Sequence, residues 1–122
     1  MKILVAEDEP MLLKTIELKL KKEGYEVIVT ADGRQAAEQI ESANPDMVIT
    51  DIMMPYVSGL ELINLLRQKL NRKTPVIILS AMEQEKVVME AFELGADDYI
   101  TKPFSLNELV IRVKRLVVRA RS

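Results

Sequence analysis

Five side chains that can do chemistry follow four separate apolar runs of this 122-residue sequence. Glu7 and Asp8 follow the first run, and Asp51 follows the third. Ser80 follows the fourth run, and Lys102 stands just beyond the fifth. A lone aspartate usually caps a turn and a lone lysine usually lies on the surface, so none of these residues is informative by itself. Their shared position at the carboxyl ends of strand-like runs predicts a site.

Three carboxylates that lie together repel one another, so one becomes protonated unless a cation lies among them. Oxygen ligands suit a hard cation, and Mg²⁺ typically takes one or two carboxylates plus water and phosphate oxygens. Asp51 would then be available as a nucleophile that forms an aspartyl phosphate. Mg²⁺ and Lys102 would neutralise the transferred phosphoryl group, and Ser80 would donate a hydrogen bond to it. These residue types indicate magnesium-dependent phosphoryl transfer.

Composition excludes several other kinds of chemistry. The sequence has no histidine and no cysteine, which excludes histidine triads, histidine metal sites, disulfides and thiolate catalysis. The net charge of −2 gives no overall basic field that would attract nucleic acid. The sequence contains no run of about 18 apolar residues, so no membrane helix is predicted. The amino terminus lacks a signal-peptide pattern. A cytoplasmic location without membrane contact is expected.

Strand-like runs alternate with helical patterns along the whole chain. The strands are predicted at residues 2–6, 26–30, 47–49, 75–79 and 98–100, and helical patterns start near residues 11, 33, 60, 85 and 106. Near-continuous apolar strands in this alternation predict an α/β fold, with a parallel sheet between two layers of helices. Short connections make residues 1–122 a single domain, and parallel strands bring their carboxyl ends to one edge of the sheet.

Turn and cap residues mark the helix boundaries. Gly24 and Gly95 are placed to end the first and fourth helices in a left-handed conformation. Ser58 and Ser105 each precede a glutamate by three residues, the spacing of a capping box at the start of a helix. The apolar stripe of the third helix runs from residue 60 to residue 70.

At these positions the sequence resembles the receiver domain of bacterial two-component response regulators over nearly its whole length. The motifs that carry the resemblance are ILVAEDEP, MVITDIMMP followed by SGLEL, VIILSA and GADDYITKPFS. The resemblance implies a flavodoxin-like (βα)5 sandwich with strand order 2-1-3-4-5, which is also the strand order of the chemotaxis receiver. The carboxyl-terminal third is most similar to receivers of winged-helix, OmpR/PhoB-type transcription regulators.

The resemblance also implies a role for each matching residue. Asp51 is implied to accept the phosphoryl group from a sensor histidine kinase or a histidine phosphotransfer protein, so the chain would catalyse only its own phosphorylation and dephosphorylation and is not expected to be an enzyme in the usual sense. Mg²⁺, for which Mn²⁺ could substitute, would be bound by Glu7, Asp8, Asp51 and the backbone carbonyl of Met53. The remaining implied roles are a phosphate contact for Lys102, a switch hydroxyl for Ser80, a switch aromatic for Tyr99 and a cis peptide bond before Pro103.

Phosphorylation would change the surface of the fourth helix, fifth strand and fifth helix, and thereby control an output such as transcription. In the winged-helix subfamily a charge pair matching Asp98 and Arg112 crosses a homodimer interface, alongside Glu93 and Asp97. Val88 stands where that subfamily usually has a basic residue, so a partner protein is the alternative occupant of this surface. DNA would be contacted only through an output domain absent from this chain.

Two features depart from the family pattern. Glu7 replaces the more common aspartate, and its longer side chain is expected to reach the metal through water. Met53 and Met82 lie two residues beyond Asp51 and Ser80, where polar side chains are common in the family. We hypothesise that the two thioethers shield the acyl phosphate from water; alternatively, they simply fill space.

Two other classes of protein are alternatives: a phosphatase that also uses a strand-end aspartate with Mg²⁺, and a flavin-binding flavodoxin. A phosphatase of the haloacid dehalogenase type needs a second acid two residues after its nucleophile, and that position holds Met53. A flavodoxin needs hydroxyl or glycine donors in its first loop, where this sequence has Glu7-Asp8-Glu9. A receiver that stands alone and one that is part of a longer DNA-binding regulator have the same pattern here, and the cognate kinase and its stimulus have no signature in the sequence.

Overall fold

The computed structural model describes residues 1–81 and 85–120. Within them, five strands form one parallel sheet of order β2-β1-β3-β4-β5. The strands are β1 (Lys2–Ala6), β2 (Glu26–Thr30), β3 (Met47–Asp51), β4 (Val76–Ala81) and β5 (Asp98–Lys102). The helices are α1 (Pro10–Lys22), α2 (Gly33–Ala43), α3 (Gly59–Asn64), α4 (Glu85–Leu94) and α5 (Leu106–Ala120). The flavodoxin-like fold and strand order predicted from the sequence are confirmed.

The sheet is buried on both faces, which explains the near-continuous apolar strands. In β1, Ile3 and Val5 belong to one core cluster, whereas Leu4 and Ala6 belong to the other. The first cluster is closed by apolar residues of α1 and α5, such as Ile16 and Val113. The second is closed by residues of α2, α3 and α4. Two helices therefore cover one face of the sheet, and three cover the other.

The predicted helix boundaries are present. Gly24 has φ +95°, and the Tyr25 amide donates to the carbonyl of Leu20 at 3.1 Å, the pattern of a left-handed helix end. Gly95 ends α4 in the same way with φ +118°. The hydroxyls of Ser58 and Ser105 accept backbone amides at 3.2 and 3.1 Å at the starts of α3 and α5.

The third helix differs from the prediction. It is α-helical only to Asn64 and continues as a π-helical turn, Leu65–Lys69. The guanidinium of Arg67 in this turn donates to the carbonyl oxygens of Arg72 and Gly95 and to Asp97 at 3.0, 2.9 and 3.2 Å. Gly95 and Asp97 come from a distant segment, so the apolar stripe of the helix could not reveal the turn.

The register places the predicted site residues at the carboxyl edge of the sheet. Ala6 lies opposite Thr50, so Glu7 and Asp51 each come one position later on adjacent strands. Pairing of β4 with β5 continues to Ala81 and Lys102, so Lys102 ends its strand rather than lying beyond it. In the described part of the chain, no helix is both long and apolar enough to cross a membrane.

Candidate functional site

An acidic pocket lies at the carboxyl edge of β1 and β3. One carboxylate oxygen from each of Glu7, Asp8 and Asp51 lies within 4.8 Å of the other two. Glu7 is fully buried and Asp51 is 8% exposed, whereas Asp8 faces solvent. The pocket therefore has a dry inner side and an open outer side, from which a small charged group can enter.

Lys102 supplies a positive charge to the inner side of the pocket. Its ammonium nitrogen donates to Glu7 Oε1 at 3.0 Å and to Asp51 Oδ2 at 3.1 Å. The exposed Glu9 carboxylate is further away, at 3.8 Å. One lysine thus neutralises part of the charge of two buried acids that come from different strands.

The electrostatics of the pocket follow from burial. Desolvation, together with the charge of Asp51, raises the pKa of Glu7 to about 7, although Lys102 opposes the shift. Desolvation also raises the pKa of Asp51, against the opposing effects of Lys102 and the Met53 backbone amide. Burial would lower the pKa of Lys102, but its bonds to Glu7 and Asp51 outweigh that effect and raise it. The pocket contains more negative charge than Lys102 can balance.

The donor set fits a hard cation. Lys102 Nζ also lies 3.0 Å from Glu7 Oε2, but the direction of approach gives no hydrogen bond, and this buried oxygen has no hydrogen-bond partner among the described residues. A buried carboxylate oxygen without a partner is costly. Oxygen-only ligands with one open side are the arrangement that Mg²⁺ or Mn²⁺ prefers. Glu7, Asp8 and Asp51 are thus suited to hold such an ion.

The loop after Asp51 is fixed by two close backbone approaches that sequence reasoning missed. A Cβ atom on Gly59 would lie 2.5 Å from the backbone oxygen of Asp51. A Cβ atom on Gly33 would lie 1.7 Å from the backbone oxygen of Val57. Neither position can therefore carry a side chain in this structure, and the first residues of α2 and α3 also determine the course of the loop.

Ser80 and Tyr99 lie around a separate pocket between β4, β5 and α4. Ser80 is buried at the end of β4, whereas Tyr99 is 41% exposed. The Tyr99 ring packs edge-on against Phe92 of α4, with 5.7 Å between the ring centroids. Ser80, Tyr99 and Phe92 line a pocket of about 290 Å³ together with Val88, Met89 and Thr101. There is open space between the two residues that the sequence assigned to a switch.

The four interface candidates lie in different environments. Asp98 is buried and pairs within the chain with Arg112 and Arg115 of α5 at 2.7 and 3.1 Å. Asp97 pairs with Arg67 at 3.2 Å and accepts the Val76 amide at 2.8 Å. Glu93 is exposed on α4. A contact between two chains stays a prediction for these residues.

The remaining predicted site residues lie close in sequence to Asp51, Ser80 and Lys102. The side chain of Met53 is 55% exposed. Met82, which the shielding hypothesis pairs with it, lies outside the described residues. The peptide bond between Lys102 and Pro103 is cis, as the resemblance implies.

Comparison with known proteins agrees with this geometry. The family model described as the response regulator receiver domain matches residues 3–114. The chain belongs to the response regulator receiver domain family. The receiver is thus a signalling module of two-component phosphorelays.

Individual relatives support the receiver assignment. The alkaline phosphatase synthesis transcriptional regulatory protein PhoP of Bacillus subtilis (strain 168) is 39% identical over 119 residues, which cover 98% of this chain and 49% of that protein. The chain therefore spans about half the length of this curated relative. Among solved structures, the Francisella response regulator 1452 receiver domain is 43% identical, with a TM-score of 0.89 and 98% coverage of both chains. A receiver domain protein from Clostridium thermocellum is 30% identical, with a TM-score of 0.90 and coverage of 98% of this chain and 96% of that chain.

Proposed function

We propose that this receiver takes a phosphoryl group onto Asp51 from the phosphohistidine of a sensor histidine kinase or a histidine phosphotransfer protein. The observation that carries the proposal is the acidic pocket itself. Asp51 lies at the end of a buried strand, within 4.8 Å of two further carboxylates and 3.1 Å from the Lys102 ammonium. An aspartate nucleophile needs this arrangement: carboxylates that can bind a metal ion, and a cation close to the oxygen that attacks phosphorus.

The reaction requires an ionised Asp51. One of its oxygens forms a bond to phosphorus while the bond from phosphorus to the donor imidazole nitrogen breaks, and the electron pair stays with that nitrogen. Lys102 is proposed to contact the transferred group, which its hydrogen bond to Asp51 Oδ2 supports. Ser80, at the end of the neighbouring strand, is proposed to donate its hydroxyl to a phosphoryl oxygen. When bound, Mg²⁺ supplies positive charge that offsets the charge of the phosphoryl oxygens, and Glu7, Asp8, Asp51 and the Met53 carbonyl would hold it.

The output is proposed to be a population shift at the surface formed by α4, β5 and α5. A phosphoryl group that draws Ser80 inward would leave the adjoining pocket available to the Tyr99 ring. Tyr99 now packs against Phe92 at the mouth of that pocket. Phosphorylation can shift the balance between the two arrangements only by the difference in contacts that it makes in each.

The regulated process is proposed to be transcription. The Bacillus subtilis relative is named as a transcriptional regulatory protein, and the present chain matches 49% of its length. DNA contact would belong to an output domain beyond this chain. A homodimer through the surface of α4, β5 and α5 is the proposed means of coupling receiver to output.

Incubation with acetyl phosphate and Mg²⁺, followed by intact-mass measurement, tests the proposal. Wild-type protein is expected to gain one phosphoryl group, and Asp51→Asn is expected to gain none. Asp46→Asn is a matched control, because Asp46 lies at the opposite edge of the sheet, where it accepts a hydrogen bond from the Lys2 amide. This substitution should leave phosphate uptake unchanged. Uptake that persists in Asp51→Asn, or that is absent from wild type, would refute Asp51 as the acceptor.

A further inference from the structure

A strained turn lies in the loop between Asp51 and α3. The amide of Val57 donates to the carbonyl of Pro55 at 2.9 Å across Tyr56, which has φ +72°. A three-residue turn of this hand is rare and strained, and a bulky aromatic residue is an unfavourable occupant of it. The Tyr56 side chain is 68% exposed, so burial of the ring cannot offset the strain. Other contacts must hold this turn in place.

The first two residues of α2 hold the turn. The amide of Gly33 donates to the same Pro55 carbonyl at 3.3 Å. The guanidinium carbon of Arg34 lies 4.2 Å from the centroid of the Tyr56 ring, a cation–π contact. Among the described residues, no acid forms a salt bridge with Arg34, although three carboxylates lie along the same edge of the sheet. Arg34 is therefore committed to the ring rather than to an acid.

The ends of this loop are fixed separately. The amide of Ile52 donates to the carbonyl of Leu79 at 3.0 Å, and the amide of Gly59 donates to the carbonyl of Ile52 at 2.9 Å. Those bonds secure the loop where it leaves β3 and where it enters α3. Between them lie Met53 and the strained turn. Met54 and Val57 pack against the core, whereas the hydrogen bond and the cation–π contact from outside the loop come from α2.

We propose that Arg34 and Tyr56 form a clamp that positions the loop after Asp51 before the metal binds. The cation–π contact would hold the turn against α2, so the loop would already be ordered before Mg²⁺ binds. Less of the binding free energy would then be spent on ordering the loop. Arg34 and Tyr56 are positioning residues, since their contact is with the loop. The metal part of this inference rests on the proposed function, whereas the ordering of the loop does not.

Amide hydrogen exchange in metal-free protein tests the clamp directly. Arg34→Ala and Tyr56→Leu are expected to speed exchange at Gly33 and Val57, the two amides bound to the Pro55 carbonyl. An exposed cation–π contact corresponds to about a two- to fivefold change in an opening equilibrium. Tyr56→Phe keeps the ring and should exchange like wild type, and amides in the centre of β3 should not change in any variant. Unchanged exchange at Gly33 and Val57 in both Arg34→Ala and Tyr56→Leu would overturn the clamp.

Magnesium affinity, measured by calorimetric titration without a phosphoryl donor, separates positioning from simple charge. Removal of a cation near an acidic pocket should by Coulomb's law tighten Mg²⁺ binding. The clamp instead requires that Arg34→Ala weaken it, by the same two- to fivefold factor. Lys22→Ala, at the opposite end of the fold, controls for the lost charge. Tighter or equal binding by Arg34→Ala would overturn the positioning role, whereas wild-type protein that binds no Mg²⁺ would refute the metal part of the proposed function and leave the clamp to be decided by exchange.

Discussion

Among the single residues that the structure describes, Glu7 has an environment that departs strongly from its ordinary chemistry. It is fully buried, one of its oxygens has no hydrogen-bond partner among the described residues, and its pKa is raised from 4.5 to about 7. The sequence could place Glu7 at the strand end, because the apolar run before it was clear. It could not give the burial, which depends on Lys102 and Asp51 arriving from distant segments. The metal-free pocket thus brings the titration of Glu7 close to neutral pH.

The raised pKa of Glu7 makes the stability of metal-free protein depend on pH. Between about pH 4.5 and pH 7 the folded state binds more protons at Glu7 than the unfolded state does, so the stability contributed by this group is complete below pH 4.5 and is lost as pH rises through 7. At 1.36 kcal/mol per pKa unit, the rise from 4.5 to about 7 corresponds to a loss of about 3 kcal/mol. Urea unfolding in EDTA at pH 5 and pH 7.5 measures it. Glu7→Gln should lack this component of the pH dependence, and an equal decrease in both proteins would contradict the account.

Among the elements, the loop from β3 to α3 depends on glycines that the sequence did not reveal as critical. Gly59 and Gly33 begin α3 and α2, and their close neighbours are the backbone oxygens of Asp51 and Val57. Gly33 lies 24 positions before Val57 in sequence, so no local pattern could predict their contact. The π-helical turn after α3 was missed for the same reason, since Arg67 finds its partners near residue 95. Local caps such as Ser58 were predictable because their partners lie three residues away.

Gly59→Ala tests the coupling between this loop and the nucleophile. The added Cβ would lie 2.5 Å from the Asp51 backbone oxygen, and crowding of this kind costs about 1–3 kcal/mol of unfolding free energy. It should also slow phosphate uptake from acetyl phosphate, because β3 must shift at Asp51. Gly24→Ala is the matched control: its φ of +95° predicts a loss of roughly 1–2 kcal/mol, but no atom lies within 4 Å of the added Cβ. Equal uptake rates in the two variants at similar stability would contradict the coupling.

At the scale of the whole molecule, the fold followed from the sequence because alternating strands and helices with short connections leave few topologies. Quaternary structure did not follow. Asp98 matched a residue that contacts a second chain in the resembling subfamily, but in this chain both of its oxygens accept from arginines of α5. Any dimer must either keep these pairs or exchange them, and the pattern of charges alone could not distinguish the two.

Light scattering with and without a beryllofluoride phosphate mimic tests the proposed dimer. With Mg²⁺ and the mimic, wild-type protein is expected to change from monomer to dimer. Arg112→Ala removes a cation that lies 2.7 Å from Asp98 and should remain monomeric, whereas Lys22→Ala on α1 should behave as wild type. Wild-type protein that stays monomeric with the mimic bound would favour a partner protein as the occupant of this surface.

The central claim is that the carboxylate of Asp51 is the phosphoryl acceptor. Reduction of the phosphorylated protein with sodium borohydride converts an aspartyl phosphate into homoserine, which peptide mass spectrometry can locate. Homoserine is expected at position 51 of wild-type protein treated with acetyl phosphate and Mg²⁺, and in none of the protein treated with EDTA. Homoserine at another aspartate, or a phosphoryl group that resists reduction, would contradict the account.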